Sequence, residues 1–265
     1  MNLAALLDIH ARTRPSHPAV ICGDGTVSYA AFTRQVRGLA DVLAEEGVQQ
    51  GDLLGIGLRD RPLHLVALFA AMRLGAVIVP VDWRWTAAET GALAAHFGLS
   101  HLLVEPEAPT IDGPRRIAAG AELEARAERA PGTAPLVDAP GLPMLLSLSS
   151  GTTGRPTGPM LTHEQMMART ENQLAALTFN QHDRYLLATP LYFGGGRAFA
   201  LTQLVIGATV VLHPPPYRPE VLVASVARHG ITTTEVPCPI IEEHAHTSGR
   251  GATHGEIDPA RIADI

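Results

Sequence analysis

Between Leu146 and His163 the chain reads LSLSSGTTGRPTGPMLTH. Ser149, Ser150, Thr152 and Thr153 place hydroxyl donors around Gly151 and Gly154, and Arg155 adds a fixed positive charge. Glycines let a backbone fold so that several N–H groups face one way. Together these groups have the chemistry of a phosphate cradle. A polar glycine-rich hairpin would use the same residues. The Walker A spacing G-x-x-x-x-G-K-[ST] is absent, and the stretch leads into a strand rather than a helix.

A loop of this kind needs a frame, and the rest of the chain predicts one. Apolar residues at helical spacing over residues 1–14 are followed by short strand patterns at PAVICGD and GTVSYAAF. YAAFTRQVRGLADVLAEEG reads as an amphipathic helix, then strand and helix patterns alternate through SHLLVE. PMLLSLSS and GPMLTH are strands on either side of the loop. Beyond them EQMMARTENQLAAL, GRAFALTQLVIG and PEVLVASVARHG read as helices separated by DRYLLATP, ATVVLH and ITTTEVP as strands. Such alternation predicts an α/β fold, with parallel sheets covered by helices. Seven prolines between Glu105 and Pro143 predict a surface excursion with one short helix at AAGAELEARAERA, and an internal seam at 105–143.

Composition narrows the function classes. The chain has 265 residues, is 46% hydrophobic and 17% charged, and carries a net charge of −6. A large core is affordable at that length, and no nucleic-acid surface is expected. Cys22 and Cys238 are too few and too far apart for a disulfide framework or a zinc knuckle. They fit a reducing cytoplasm, and no apolar run is long enough to span a bilayer. All 20 basic residues counted as Lys plus Arg are arginines. A mechanism that needs a lysine finds none within these residues. The run EEHAHTSGRGATHGE gathers Glu242, Glu243, His244, His246 and His254, but its glycines argue for a solvated loop over a metal site.

The order of residues in LSSGTTGRPTGPMLTH closely resembles the signature loop of the adenylate-forming, AMP-binding superfamily, written T-S-G-T-T-G-x-P-K-G before a strand and T-H. Ser150, Gly151, Thr152, Thr153, Gly154, Pro156, Gly158, Thr162 and His163 match, Ser149 replaces the first Thr, and Thr157 stands where the family carries a lysine. VSYAAFTRQVRGLADVLAEEGVQQGDLLGI, LVALFAAMRLGAVIVPVD, YLLATPLYFGGG, IGATVVL and ITTTEVPCPII resemble further family segments in the expected order. The resemblance covers the N-terminal portion of the family's large domain.

That resemblance implies an acyl-CoA synthetase-like ligase. ATP and a small carboxylic acid would give an acyl-adenylate and pyrophosphate, and coenzyme A would then take the acyl group. Ser149, Ser150, Gly151, Thr152, Thr153, Gly154, Arg155 and Thr157 would bind the ATP phosphates, and a hydroxyl of Thr152 or Thr153 would ligate Mg²⁺. A lysine at 157 would be worth about 4 kcal/mol at 4 Å and an effective dielectric of 20; Arg155 is the cation left to replace it. Tyr192, Phe193 and Gly194 would shape the substrate pocket. The family's Y-G-x-T-E and T-G-D motifs, its hinge and its C-terminal lysine find no match before Ile265. The expectation is therefore that residues 1–265 hold half of a site, lack the C-terminal half and small domain, and are inactive alone. They would associate with themselves or with a complementing C-terminal chain. A nucleotide-binding pseudoenzyme and an enzyme that loads a carrier protein are the alternatives.

Overall fold

The computed structural model describes residues 1–139, 141–148, 158–213 and 218–235. The phosphate-loop residues 149–157, Cys238 and the histidine run at 244–254 lie outside the described residues.

Two largely parallel sheets organise the chain. The first helix, α1 (Ala4–Thr13), leads to a hairpin of β1 (Pro18–Cys22) and β2 (Gly25–Ser28). The second strand ends four residues earlier than its apolar pattern suggests. Ser28 takes an extended conformation and its side chain accepts the Ala31 N–H, so α2 (Tyr29–Glu45) starts at Tyr29. There follow β3 (Leu53–Gly57), α3 (Pro62–Leu74), β4 (Val77–Pro80), α4 (Ala87–Phe97) and β5 (His101–Val104).

The proline-rich stretch holds more than the helix α5 (Ala121–Arg129). It also contains a strand, β6 (Arg115–Ala118), which pairs in parallel with β5. RRIA lacks an apolar run, so only the tertiary pairing makes it a strand. The chain then returns through β7 (Pro143–Leu146), β8 (Met160–Thr162), α6 (His163–Leu177), β9 (Arg184–Leu187), α7 (Gly194–Ile206), β10 (Thr209–Leu212), α8 (Pro219–His229) and β11 (Thr233–Glu235).

The six-stranded sheet has the order β6-β5-β3-β4-β7-β8, and only β8 is antiparallel to its neighbour. The five-stranded sheet runs β11-β9-β10-β1-β2, with only β2 antiparallel. Alternation sorts the side chains into layers. Val20, Leu187 and Val210 of one sheet and Leu54, Ile56 and Ile78 of the other share a central core with α2, α3 and α7. Ile21, Leu186 and Val211 face outward under α8, while Val79, Leu102 and Val104 face outward under α4. Helix α3 is buried from His64 to Leu74, as expected of a helix with apolar residues on all sides in a middle layer.

Candidate functional site

In parallel sheets ligands sit beyond the carboxyl ends of the strands, and both sheets carry unusual residues there. In the six-stranded sheet β7 lies beside β4, with Ile78 opposite Leu145, so the two strands end level with each other. The chain leaves β7 for the glycine-rich loop and returns in β8. Its two feet are fastened together. Ser147 N–H donates to Pro159 O at 2.9 Å. A Cβ at Gly158 would come within 2.0 Å of Ser147 O, so only glycine permits this approach.

The far foot is capped by Thr162, whose side chain accepts the Gln165 N–H while the Gln165 side chain accepts the Thr162 N–H. His163 is therefore the first helical residue and not the cap. It is 2% exposed, and its Nδ1 accepts the Leu3 N–H at 3.3 Å. Burial, with the N-terminal ammonium nearby, pulls its pKa down to about 4. This motif histidine is neutral and ties the loop's far foot to α1.

Beyond β4, Asp82 takes a two-point contact from Arg84, at 3.0 Å from Nε to Oδ1 and 2.6 Å from Nη2 to Oδ2. Burial works against the Asp82 charge, but Arg84 outweighs it and holds the carboxyl below its usual range. Arg84 also donates to the Tyr192 hydroxyl at 2.5 Å and lies over its ring, 5.3 Å from the centroid. The end of β4 is thus joined to the turn ahead of α7.

That turn holds the expected substrate-pocket residues. Tyr192 and Phe193 stack obliquely with ring centroids 4.9 Å apart. Phe193 is 56% exposed, so it is not core packing, and Gly194 beside it is exposed. The turn is pinned at Leu191. Its N–H donates to buried Asp60 of the β3–α3 connection at 3.0 Å, and its carbonyl accepts from Arg197 of α7 at 3.0 Å. Arg197 also donates to Tyr192 O at 3.0 Å. Burial, with Arg169 nearby, lowers its pKa to about 10. His64, 4.0 Å from Asp60, is held neutral by burial and by Arg197, with a pKa of about 3.

Asp60, Asp82, Arg84, Arg197 and Glu235 were not anticipated from sequence. A charged residue inside an apolar helix (Arg197) or at the end of a strand (Glu235) was the available signal. Among the described residues no group of three His, Cys, Asp or Glu side chains is placed to hold a metal, and no helix is long and apolar enough to cross a membrane.

A family profile described as AMP-binding enzyme matches residues 7–257. The chain belongs to the AMP-binding enzyme family. An indoleacetate–CoA ligase of Aromatoleum aromaticum is 32% identical over 231 residues, covering 81% of this chain and 45% of that protein. A feruloyl-CoA synthase of an Amycolatopsis species is 33% identical over 230 residues, covering 84% and 46%. The chain thus spans about half the length of these AMP-binding relatives. The inhibitor-bound N-terminal domain of FACL13 from Mycobacterium tuberculosis superposes with a TM-score of 0.85 at 22% identity, over 92% of this chain and 65% of that one. The resemblance to the AMP-binding superfamily and the α/β fold of parallel sheets are both borne out.

Proposed function

We propose that the full protein carrying this chain is an AMP-forming acid–thiol ligase, which joins a carboxylic acid to AMP and then to the thiol of coenzyme A. The observation that carries this reading is the signature loop, set between two fastened feet at the carboxyl edge of the six-stranded sheet. A carboxylate oxygen attacks the α-phosphorus of ATP and pyrophosphate departs with its electron pair. The demand on the protein is to neutralise charge on that leaving group. The donor set fits a polyphosphate. Backbone N–H groups between Gly151 and Gly154, the hydroxyls of Ser149, Ser150, Thr152 and Thr153, and Arg155 would hold its oxygens, with Thr157 alongside. A hydroxyl of Thr152 or Thr153 would hold Mg²⁺, which suits oxygen ligands and would offset phosphate charge.

The acyl group would lie against Tyr192, Phe193 and Gly194. That ring pair, with Phe193 exposed and Tyr192 half-buried, together with relatives named for indoleacetate and feruloyl substrates, supports an aromatic acid. Two scattered cysteines support work in a reducing cytoplasm.

The test is ATP–pyrophosphate exchange by the full-length protein over a panel of aromatic and aliphatic acids, followed by thioester formation with coenzyme A or a carrier protein offered in parallel. Exchange with an aromatic acid and transfer to coenzyme A is the expected result. Transfer only to the carrier protein would replace the acceptor. ATP binding without exchange for any acid would leave a nucleotide-binding pseudoenzyme in place of the ligase.

A further inference from the structure

Three polar side-chain atoms on β9, on β11 and in the turn that follows β9 are buried and have no hydrogen-bond partner among the described residues. They are the Tyr185 hydroxyl, the Thr189 hydroxyl and Glu235 Oε2. Register brings two of them to one face. In the parallel pair of β9 and β11, Tyr185 stands opposite Thr233 and Leu187 opposite Glu235. Side chains alternate along a strand, so Tyr185, Leu187, Thr233 and Glu235 share a face. Tyr185 and Leu187 join the central core with Ala200, Leu201 and Leu204 of α7, so this is the face that α7 covers.

The start of α7 is shaped around them. A Cβ at Gly195 would come within 2.7 Å of Glu235 Oε1, and one at Gly196 within 2.3 Å of Thr189 O. The carboxylate therefore lies against the first turn of α7, one residue from Gly194. A carboxyl oxygen removed from water without a donor is costly. Burial raises the Glu235 pKa, with exposed Arg169 opposing the rise. Arg169 makes no ion pair with it.

We infer that Glu235 accepts a hydrogen bond from a donor, a ring hydroxyl or ring N–H, carried by the acyl group of the acid this site takes. The inference rests on the ligase reading, and makes Glu235 a residue that selects among acids. A donor-free acid would leave the carboxylate unpaired, and a site built for a donor rejects such analogues strongly.

The test measures binding to the full-length protein by calorimetry. The probes are stable aroyl-sulfamoyladenosines with a ring hydroxyl at the ortho, meta or para position, or with none. At least one hydroxyl isomer is expected to bind about tenfold or more tighter than the unsubstituted probe. Glu235→Leu should erase that preference, and the isosteric Glu235→Gln, which keeps an acceptor, should retain part of it. A preference that survives Glu235→Leu, or a wild-type protein indifferent to the hydroxyl at every position, overturns the inference while leaving the ligase reading intact. Failure of every probe to bind the wild type removes the aromatic-acid reading, and the inference with it, while the exchange panel of aliphatic acids tests the ligase reading separately.

Discussion

The carboxyl edges of the two sheets do different work. At the six-stranded sheet the distinctive chemistry is a loop of glycines, hydroxyls and one arginine, held at its feet by backbone contacts between Ser147 and Pro159 and between Ser147 and Gly158. Such donors suit any polyphosphate. At the five-stranded sheet the distinctive groups are side chains, Tyr192, Phe193, Arg197 and Glu235, gathered around one turn of α7. On the proposed reading, one edge would hold the polyphosphate and the other the acyl group.

If that division holds, damage at each edge will read out differently. The largest effect is expected from Gly158→Val. Its side chain must displace the Ser147 backbone, so pyrophosphate exchange should fall by about a hundredfold or more, with acid-analogue binding measured alongside to show that the other edge persists. Next is Arg155→Ala, which removes the only cation of the loop motif. A loss of about tenfold or more in ATP affinity is expected, with the KM for the acid little changed; an unaltered KM for ATP would make Arg155 surface charge.

Gly195→Ala is the counterpart at the other edge. Its methyl group meets the Glu235 carboxylate, so the acid KM should rise several-fold, on the order of 1 kcal/mol, while ATP binding stays put. Equal losses for both substrates would erase the distinction between the edges.

A stability effect follows from His163. Its folded pKa, about 4, lies below the value near 6.5 expected when unfolded. The unfolded chain then binds more protons between those values, and stability falls as pH drops from about 6.5 to about 4, by roughly 2–3 kcal/mol. Buried His64 acts in the same direction. Urea denaturation at pH 7.5 and pH 5 tests this, and His163→Gln should flatten the slope. The smallest effect is expected from Thr157→Lys, which restores a charge to the cradle and should raise exchange a few-fold or leave it unchanged. A large drop with the fold intact would mean that the loop is built around threonine.

How much of this was written in the sequence differs between the same two edges. The loop is local, so its residues could be read in order, and the alternation of apolar patterns carried the fold. β6 was missed because RRIA becomes a strand only by pairing with β5. The capping role at the start of α6 fell to Thr162, because its hydroxyl reaches the Gln165 N–H while His163 is turned inward to Leu3. Tyr192, Phe193 and Gly194 could be singled out as a proposed substrate pocket from the order of motifs. Their clamp could not, because Asp60 lies 131 positions from Leu191 along the chain. Glu235 needed the register of β11 on β9 before its face could be known.

The Leu191 peptide, finally, is a rivet. Its N–H is held by Asp60, which belongs to the connection between β3 and α3, and its carbonyl by Arg197 of α7. The connection from one sheet therefore grips the helix over the other through the backbone of a single residue, by the two peptide planes that meet at it. Hydrogen bonds at 3.0 Å weaken steeply with about half an ångström of stretch, so the two sheets cannot slide past each other at this point without losing the grip on Tyr192. Relative motion, where the protein needs it, would have to turn about this contact or break it, because it ties the proposed nucleotide edge to the proposed acyl edge.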